Sequence, residues 1–76
     1  MYIVKSNLKT ILDARGMSIR QFAEKSGLKF ETVRRLYNDK TVQYHRETLA
    51  AVCVTLGVGI DELLTIVEVE GTGSGE

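Results

Sequence analysis

Four side chains that could form hydrogen bonds with nucleic-acid bases lie close together between residues 31 and 38. They are Glu31, Arg34, Arg35 and Asn38. Arginine can donate two hydrogen bonds to the O6 and N7 atoms of guanine, and glutamate can accept one from the N4 amino group of cytosine. The same residues also suit a solvent-exposed helix surface, because Glu31 precedes the two arginines by three and four residues, a spacing that forms ion pairs.

The spacing of apolar residues predicts that residues 29–38 form a helix with these polar side chains on one face. Val33, Leu36 and Tyr37 recur at i, i+3 and i+4, as on the buried stripe of an amphipathic helix. At about 100° per residue, the four polar side chains lie roughly 100–200° from Val33. That is the face a recognition helix presents to the major groove. Phe30 lies near the border, where it could pack against the preceding helix or contact a thymine methyl group.

Two further helices are predicted before residue 29. Apolar residues at helical spacing over Leu8–Leu12, followed by Gly16, indicate a first helix of about ten residues. Ser18 and Gln21 have the spacing of a capping box, in which each side chain bonds to the other residue's backbone N–H. The helix that they open would end at Gly27, which suits a left-handed C-cap. Two helices joined by a short turn containing glycine are typical of a helix-turn-helix.

The rest of the chain predicts two more helices and two short strands. Residues 39–45 break the helical period and are predicted to form a loop. A fourth helix would bury the stripe Leu49, Val52, Cys53 and Leu56, and a short fifth helix would bury residues of Ile60–Leu64. Residues 2–4 and 65–69 are rich in β-branched and aromatic residues, which favour strands that could pair with each other or across a dimer.

The length of 76 residues suits one small domain. We predict a single domain over residues 1–70 with a helix-turn-helix core over 18–38, followed by a disordered tail over 71–76. No apolar run approaches the roughly 20 residues of a transmembrane helix, and the N-terminus lacks the pattern of a signal peptide. A single cysteine, Cys53, suggests a reducing compartment. We therefore expect a cytoplasmic protein.

The charges are unevenly distributed, although the net charge is zero. Residues 15–46 contain eight basic and three acidic residues, a net +5, whereas residues 47–76 contain six acidic residues and no Lys or Arg, a net −6. A basic segment around a predicted recognition helix favours binding to nucleic acid, even in a chain with no net charge.

The sequence resembles the Cro/C1-type (lambda-repressor-like) helix-turn-helix transcriptional regulators over roughly residues 6–64. The segments that carry the resemblance are NLKTILDARGMSIRQFAEKSGL, ETVRRLYNDK and ETLAAVCVTLGVGIDELL. The family pattern is met by the lead-in Gly16-Met17-Ser18, the inward Ala23, the turn Gly27, the helix end Leu36-Tyr37-Asn38 and the closing segment Leu56–Leu64. Together these features are specific, although each one alone is common.

The resemblance implies an all-α, five-helix lambda-repressor-like domain, with a minor β-ribbon from the two termini. It implies a homodimer that binds double-stranded DNA, with helix 29–38 in the major groove and repression as the usual outcome. The residues expected at the bases are Phe30, Glu31, Arg34 and Arg35. The residues expected at the sugar–phosphate backbone are Arg20, Lys29, Thr32, Asn38, Lys40 and Arg46.

Three positions depart from the family pattern. Ile19 stands where the family usually has a glutamine that helps to hold a phosphate, so we expect that contact to pass to Arg20 or Lys29. Lys29 itself stands where a serine or threonine normally caps the recognition helix. Asp39 stands where the family usually has glycine.

Other function classes are less well supported by the sequence. The same fold could serve as a protein-interaction module, antitoxin-like or adaptor, with little affinity for DNA. One histidine and one cysteine cannot build a metal site of the usual ligand spacing; we expect His45 to cap the fourth helix and Cys53 to be a buried thiol. We expect no cofactor, no small-molecule ligand and no enzymatic activity.

Overall fold

The computed structural model describes residues 1–69, which form five α-helices and two β-strands. In chain order the elements are β1 (Tyr2–Ser6), α1 (Leu8–Arg15), α2 (Ile19–Ser26), α3 (Phe30–Tyr37), α4 (Arg46–Leu56), α5 (Ile60–Leu63) and β2 (Leu64–Glu68). The predicted five-helix fold with a ribbon from the two ends of the chain is thus confirmed. The tail predicted over residues 71–76 lies outside the described residues.

The pair α2 and α3 forms the predicted helix-turn-helix. The Ser18 hydroxyl accepts a hydrogen bond from the Gln21 N–H at 3.0 Å, and the Gln21 side chain accepts one from the Ser18 N–H at 2.9 Å. This reciprocal pair satisfies donors that would otherwise be free at the start of α2. Gly27 ends α2 with a φ of +78°, a left-handed conformation that glycine adopts without strain. The chain changes direction at Gly27, and α3 begins three residues later, at Phe30.

One apolar cluster positions all five helices. Its buried members are Leu8, Leu12, Phe22, Ala23, Val33, Leu36, Val52, Leu56 and Leu63. Val33 and Leu36 are the residues of α3 in this cluster. Phe22 and Ala23 are those of α2. Each fully buried side chain of this size contributes about 1.5–3 kcal/mol, so the inward face of α3 is fixed by packing.

The two predicted strands pair with each other within one chain, which was one of the two alternatives left open by the sequence. β1 and β2 are antiparallel, with Tyr2 opposite Glu68, Val4 opposite Ile66 and Ser6 opposite Leu64. Leu64 was expected in the fifth helix, and that expectation is wrong. Its φ of −119° and ψ of 142° are extended, because the β-branched residues after it pair with β1 and draw the chain out of the helix.

Within residues 1–69, hydrogen bonds of side chains to residues distant in sequence join this ribbon to the helices at two points. The Ser6 N–H donates to the Asp39 carboxylate at 3.0 Å, across the end of α3. Asp39 has a φ of +58°, so it occupies the left-handed conformation that explains why glycine is usual there. At the other point, the Asn7 side chain donates to the Glu62 carbonyl at 3.2 Å and to the Thr65 hydroxyl at 2.6 Å.

No helix among the described residues is long and apolar enough to cross a membrane.

We expect Asp39→Ala to lower the free energy of unfolding by about 1–3 kcal/mol, because it leaves the N–H of the buried Ser6 without its partner. Asp39→Asn is the matched control, since asparagine keeps a side-chain oxygen and tolerates a positive φ. The free energy of unfolding of both variants is measured by urea denaturation at neutral pH. Equal losses in the two variants would show that the hydrogen bond to Ser6 does not stabilise the fold.

Candidate nucleic-acid interface

The polar side chains of α3 lie opposite its buried residues. Glu31, Arg34 and Arg35 are exposed, as is Asn38, which ends the helix, whereas Val33 and Leu36 are buried. The surface centred on these four exposed residues is called the reading face below.

Glu31 holds both arginines of the reading face in ion pairs. Arg34 donates from Nε and Nη2 to the two carboxylate oxygens at 3.1 and 2.6 Å, whereas Arg35 Nε lies 3.4 Å from one of them. Hydrogen bonding to Arg34 is the main reason why the pKa of Glu31 lies below its usual value, and Glu31 in turn raises the pKa of Arg34. Both pairs are solvent-exposed and therefore weak, so a ligand can compete for the guanidinium groups.

Phe30, whose place the sequence left open, lies at the surface and not in the core cluster. Its side chain is 41% exposed, and the Arg20 guanidinium lies 5.2 Å from the centre of its ring. A cation over an aromatic face at this distance is attracted by the ring. The cation–π contact of Arg20 with Phe30 therefore links the start of α2 to the start of α3, at one edge of the reading face.

Two helices begin beside the reading face without a side-chain cap. Lys29 is the N-cap of α3 and His45 is the N-cap of α4, and neither side chain makes a capping hydrogen bond. The expectation that the His45 side chain caps α4 is thus wrong, although the helix begins where expected. Uncapped helix N-termini carry free backbone N–H groups and a partial positive charge, which attract anions.

Cations without an ionic partner lie around these two helix starts. Lys29, Lys40 and Arg46 are exposed, and within residues 1–69 none of them is in a salt bridge. A cation at a helix N-terminus is opposed by the helix dipole. An anion bound beside Lys29 or Arg46 would therefore neutralise both the side-chain charge and the positive end of the helix dipole.

A groove of about 350 Å³ runs between the end of α3 and the start of α4. Its walls include Arg35 and Lys40 together with Thr32, Thr41 and Thr48. Thr32 is partly buried, unlike the other residues predicted to contact DNA. The groove thus combines two cations with hydroxyl groups beside the reading face.

A cluster of three side chains anchors the far end of α3 to α1. The Tyr37 hydroxyl donates to Asp13 at 2.6 Å, Lys9 bonds to the same carboxylate at 2.9 Å, and the Lys9 ammonium lies 5.3 Å from the Tyr37 ring centre. Hydrogen bonds from Tyr37 first, and then from Lys9, lower the pKa of Asp13, and the bond to Asp13 raises the pKa of Tyr37. Tyr37 was predicted from its spacing as part of the buried stripe, and the spacing gave no sign of this polar contact.

Cys53 is half-buried, not fully buried, and packs against the core. Burial raises the pKa of its thiol, and the nearby charges of Asp61 and Glu62 raise it further, so the thiolate form is disfavoured. Among residues 1–69, no group of three or more His, Cys, Asp or Glu side chains is placed to hold a metal ion.

A comparison with protein families finds that the model of the Cro/C1-type HTH DNA-binding domain matches residues 7–68. Among solved structures, one similar chain is described as a "putative DNA-binding protein from Bacteroides fragilis". It is 24% identical with a TM-score of 0.70, and the match covers 83% of this chain and 100% of that one. At this identity, the likeness supports the fold. No curated protein sequence matches the chain.

Proposed function

The chain belongs to the Cro/C1-type helix-turn-helix DNA-binding domains, and from this premise we propose that it binds double-stranded DNA sequence-specifically with α3 in the major groove. Phe30, Glu31, Arg34 and Arg35 lie at the bases. The contacts to the sugar–phosphate backbone come from Arg20, Lys29, Thr32, Asn38, Lys40 and Arg46. Residues 1–70 act as the single domain that carries this activity.

The observation that carries the proposal is the arrangement around the exposed reading face of two helix starts without a side-chain cap and of cations that have no ionic partner within residues 1–69. Phosphate groups on either side of a major groove would meet Lys29 and the start of α3 on one side. On the other side they would meet Arg46, the start of α4 and Lys40. Phosphate contacts fix the position of a protein on the duplex, and base contacts then read the sequence.

The protein acts as a homodimer and as a repressor in this proposal. A dimer reads two half-sites about 34–36 Å apart, and a protein bound in the groove excludes other proteins from the same sequence. The acidic segment after residue 46 is suited to face away from DNA, where it would supply the surface between subunits. The proposal includes a cytoplasmic location, which is consistent with DNA as the partner and with a single cysteine, Cys53, that forms no internal disulfide.

Salt dependence tests DNA binding directly. With about six phosphate contacts, affinity for a random-sequence duplex should fall roughly 10³-fold between 50 and 200 mM salt, because binding releases counterions. The affinity at each salt concentration is measured by fluorescence anisotropy. Lys40→Ala should reduce the slope of log affinity against log salt by about one contact, whereas Lys25→Ala, an exposed cation outside the site, should leave it unchanged. Undetectable binding at 50 mM salt would instead favour the interaction-module function.

Arg35→Ala is expected to weaken the free energy of binding to the selected DNA site by about 1–3 kcal/mol and to relax specificity at one base pair. The reason is that a bidentate contact to one base is lost. The measurement is competition by duplexes that carry single substitutions in a site obtained by in vitro selection. An equal loss of affinity for every sequence would place Arg35 on a phosphate group and would contradict its role in reading bases.

Glu31→Gln should increase the affinity for random-sequence duplex several-fold. It removes a negative charge from the reading face and releases both arginines from their ion pairs. Glu24→Gln is the matched control, because it makes the same change in net charge at an exposed position of α2 outside the site. If the two variants gain equally, the effect comes from net charge and the pairing by Glu31 does not restrain the arginines.

A further inference from the structure

The hydrogen bonds of the terminal ribbon show which backbone groups face outward. The Val69 N–H donates to the Met1 carbonyl at 2.8 Å, and the Asn7 N–H donates to the Leu63 carbonyl at 2.7 Å. Both bonds join odd-numbered residues in the register of the ribbon. In an antiparallel pair, hydrogen-bonded and non-hydrogen-bonded positions alternate. The even-numbered residues of β1 and β2 therefore direct their N–H and C=O groups away from each other.

The outer edge of β1 is partly occupied. Of its outward groups, the Ser6 N–H donates to Asp39, so the turn after α3 lies against this edge. Only the first residues of β1, around Tyr2 and Val4, extend beyond that contact.

Among residues 1–69, nothing pairs with the outer edge of β2 over most of its length. The Leu64 N–H donates to the Ile60 carbonyl within the same chain. The remaining outward groups are the Leu64 carbonyl and the N–H and carbonyl groups of Ile66 and Glu68. An unpaired edge is a template for another strand unless a lysine, a proline or a bulge protects it, and the sequence of β2, LTIVE, contains neither lysine nor proline.

The side chains of the ribbon are also exposed to an unusual degree. Ile66 is 71% exposed and Tyr2 68%, and Ile3 and Val4 are each about two-fifths exposed. Two-stranded ribbons are marginally stable alone and gain stability from additional strands and from burial of an apolar face. The ribbon thus presents both unpaired backbone groups and apolar side chains.

We propose that β2 pairs with the β2 strand of a second copy of this chain, forming an antiparallel four-stranded sheet with its two-fold axis at Ile66. In this register, each Ile66 N–H donates to the Ile66 carbonyl of the other copy. Each Glu68 N–H donates to the Leu64 carbonyl of the other copy. Every new hydrogen bond uses a group that points outward and has no partner within residues 1–69.

A second copy fits this edge because the strand is self-complementary about Ile66. The two isoleucine side chains meet across the axis, where the strands bring cross-strand neighbours into contact. Each Glu68 carboxylate lies opposite a leucine and away from the other glutamate, so like charges are kept apart. A register centred one residue later, at Val67, would instead set each Glu68 beside the exposed Ile66 of the other copy. The interface is isologous, as expected for a two-fold dimer.

This inference rests on the proposed function, because it names the surface through which the two copies of the DNA-binding homodimer meet. The two can fail separately. Affinity of one copy for duplex DNA depends on the reading face, whereas pairing of two copies depends on β2.

The test uses opposite charges at Ile66 in the full chain. Ile66→Lys and Ile66→Glu each place like charges directly across the axis, which destabilises pairing. Each variant alone should raise the dimer dissociation constant at least tenfold, as measured by sedimentation equilibrium. An equimolar mixture should form the mixed dimer in native mass spectrometry, because lysine then faces glutamate. Val54→Lys is the matched control, since Val54 is a β-branched residue that is 81% exposed on α4.

Hydrogen exchange supplies a second measurement that does not depend on the variants. In the wild-type dimer the N–H groups of Ile66 and Glu68 should exchange slowly, and dilution should accelerate their exchange. The N–H groups of Tyr2 and Val4 should exchange rapidly at all concentrations. The inward N–H of Thr65 reports that the ribbon itself is intact in each variant.

Three results would overturn the inference. They are a wild-type chain that remains monomeric throughout the concentration series, a dimer that Val54→Lys weakens as much as the Ile66 variants do, and a mixture of the two Ile66 variants that shows no mixed dimer. Binding to a random-sequence duplex of about 30 base pairs, long enough for two half-sites, is measured in parallel. DNA binding by a chain without β2 pairing would refute the dimer surface alone, and β2 pairing without DNA binding would refute the proposed function alone.

Discussion

The position of α3 depends on the burial of Val33 and Leu36, which contribute the inward side of this helix to the core. Rotating α3 by one residue, about 100°, would expose these side chains and bury charged ones. Burying an unpaired charge is far more costly than any of the surface contacts around it. The packing therefore fixes the orientation of the reading face, and the ion pairs on that face are free to change without disturbing the fold.

The electrostatics of this surface differ from what the total charge suggests. A chain with no net charge would attract DNA weakly if its charges were mixed evenly. Here, the acidic residues concentrate after residue 46, and the cations concentrate around α3. Within that basic region Glu31 neutralises part of the charge at the centre, whereas Lys29, Lys40 and Arg46 at the periphery are unpaired in the described residues. This distribution suits a binding sequence in which the peripheral cations contact phosphate groups first. The central arginines would then leave their ion pairs with Glu31 and form hydrogen bonds with a base.

The elements that follow from local patterns could be predicted from the sequence, and those that depend on distant residues could not. The capping box at Ser18, the turn at Gly27 and the buried stripe of α3 are set by residues within a few positions of one another. Leu64 has the apolar character expected of a helix end, but pairing with Ser6, at the other end of the chain, makes it a strand residue. Asp39 was identifiable as unusual because it replaces a glycine, but its bond to Ser6 spans 33 positions. Similarly, nothing local to Tyr37 indicates Asp13 as its partner. The roles of the site residues at DNA follow from exposure and residue type, and they remain predictions until binding is measured.

The link from Ser6 to Asp39 gives the terminal ribbon a significance beyond closing the chain. Two recognition helices can enter successive major grooves only if each is held at a fixed angle to the surface that joins the subunits. Asp39 lies two residues after the end of α3 and bonds to Ser6, the last residue of β1, and β1 is paired along its length with β2. Asn7, the residue after β1, donates side-chain hydrogen bonds to Glu62 in α5 and Thr65 in β2. If two copies meet through β2, these short connections leave no flexible segment between the subunit surface and the reading face. The spacing of the half-sites would then be set by the fold of each subunit, which is a physical reason for a carboxylate at position 39 where glycine would satisfy the backbone alone.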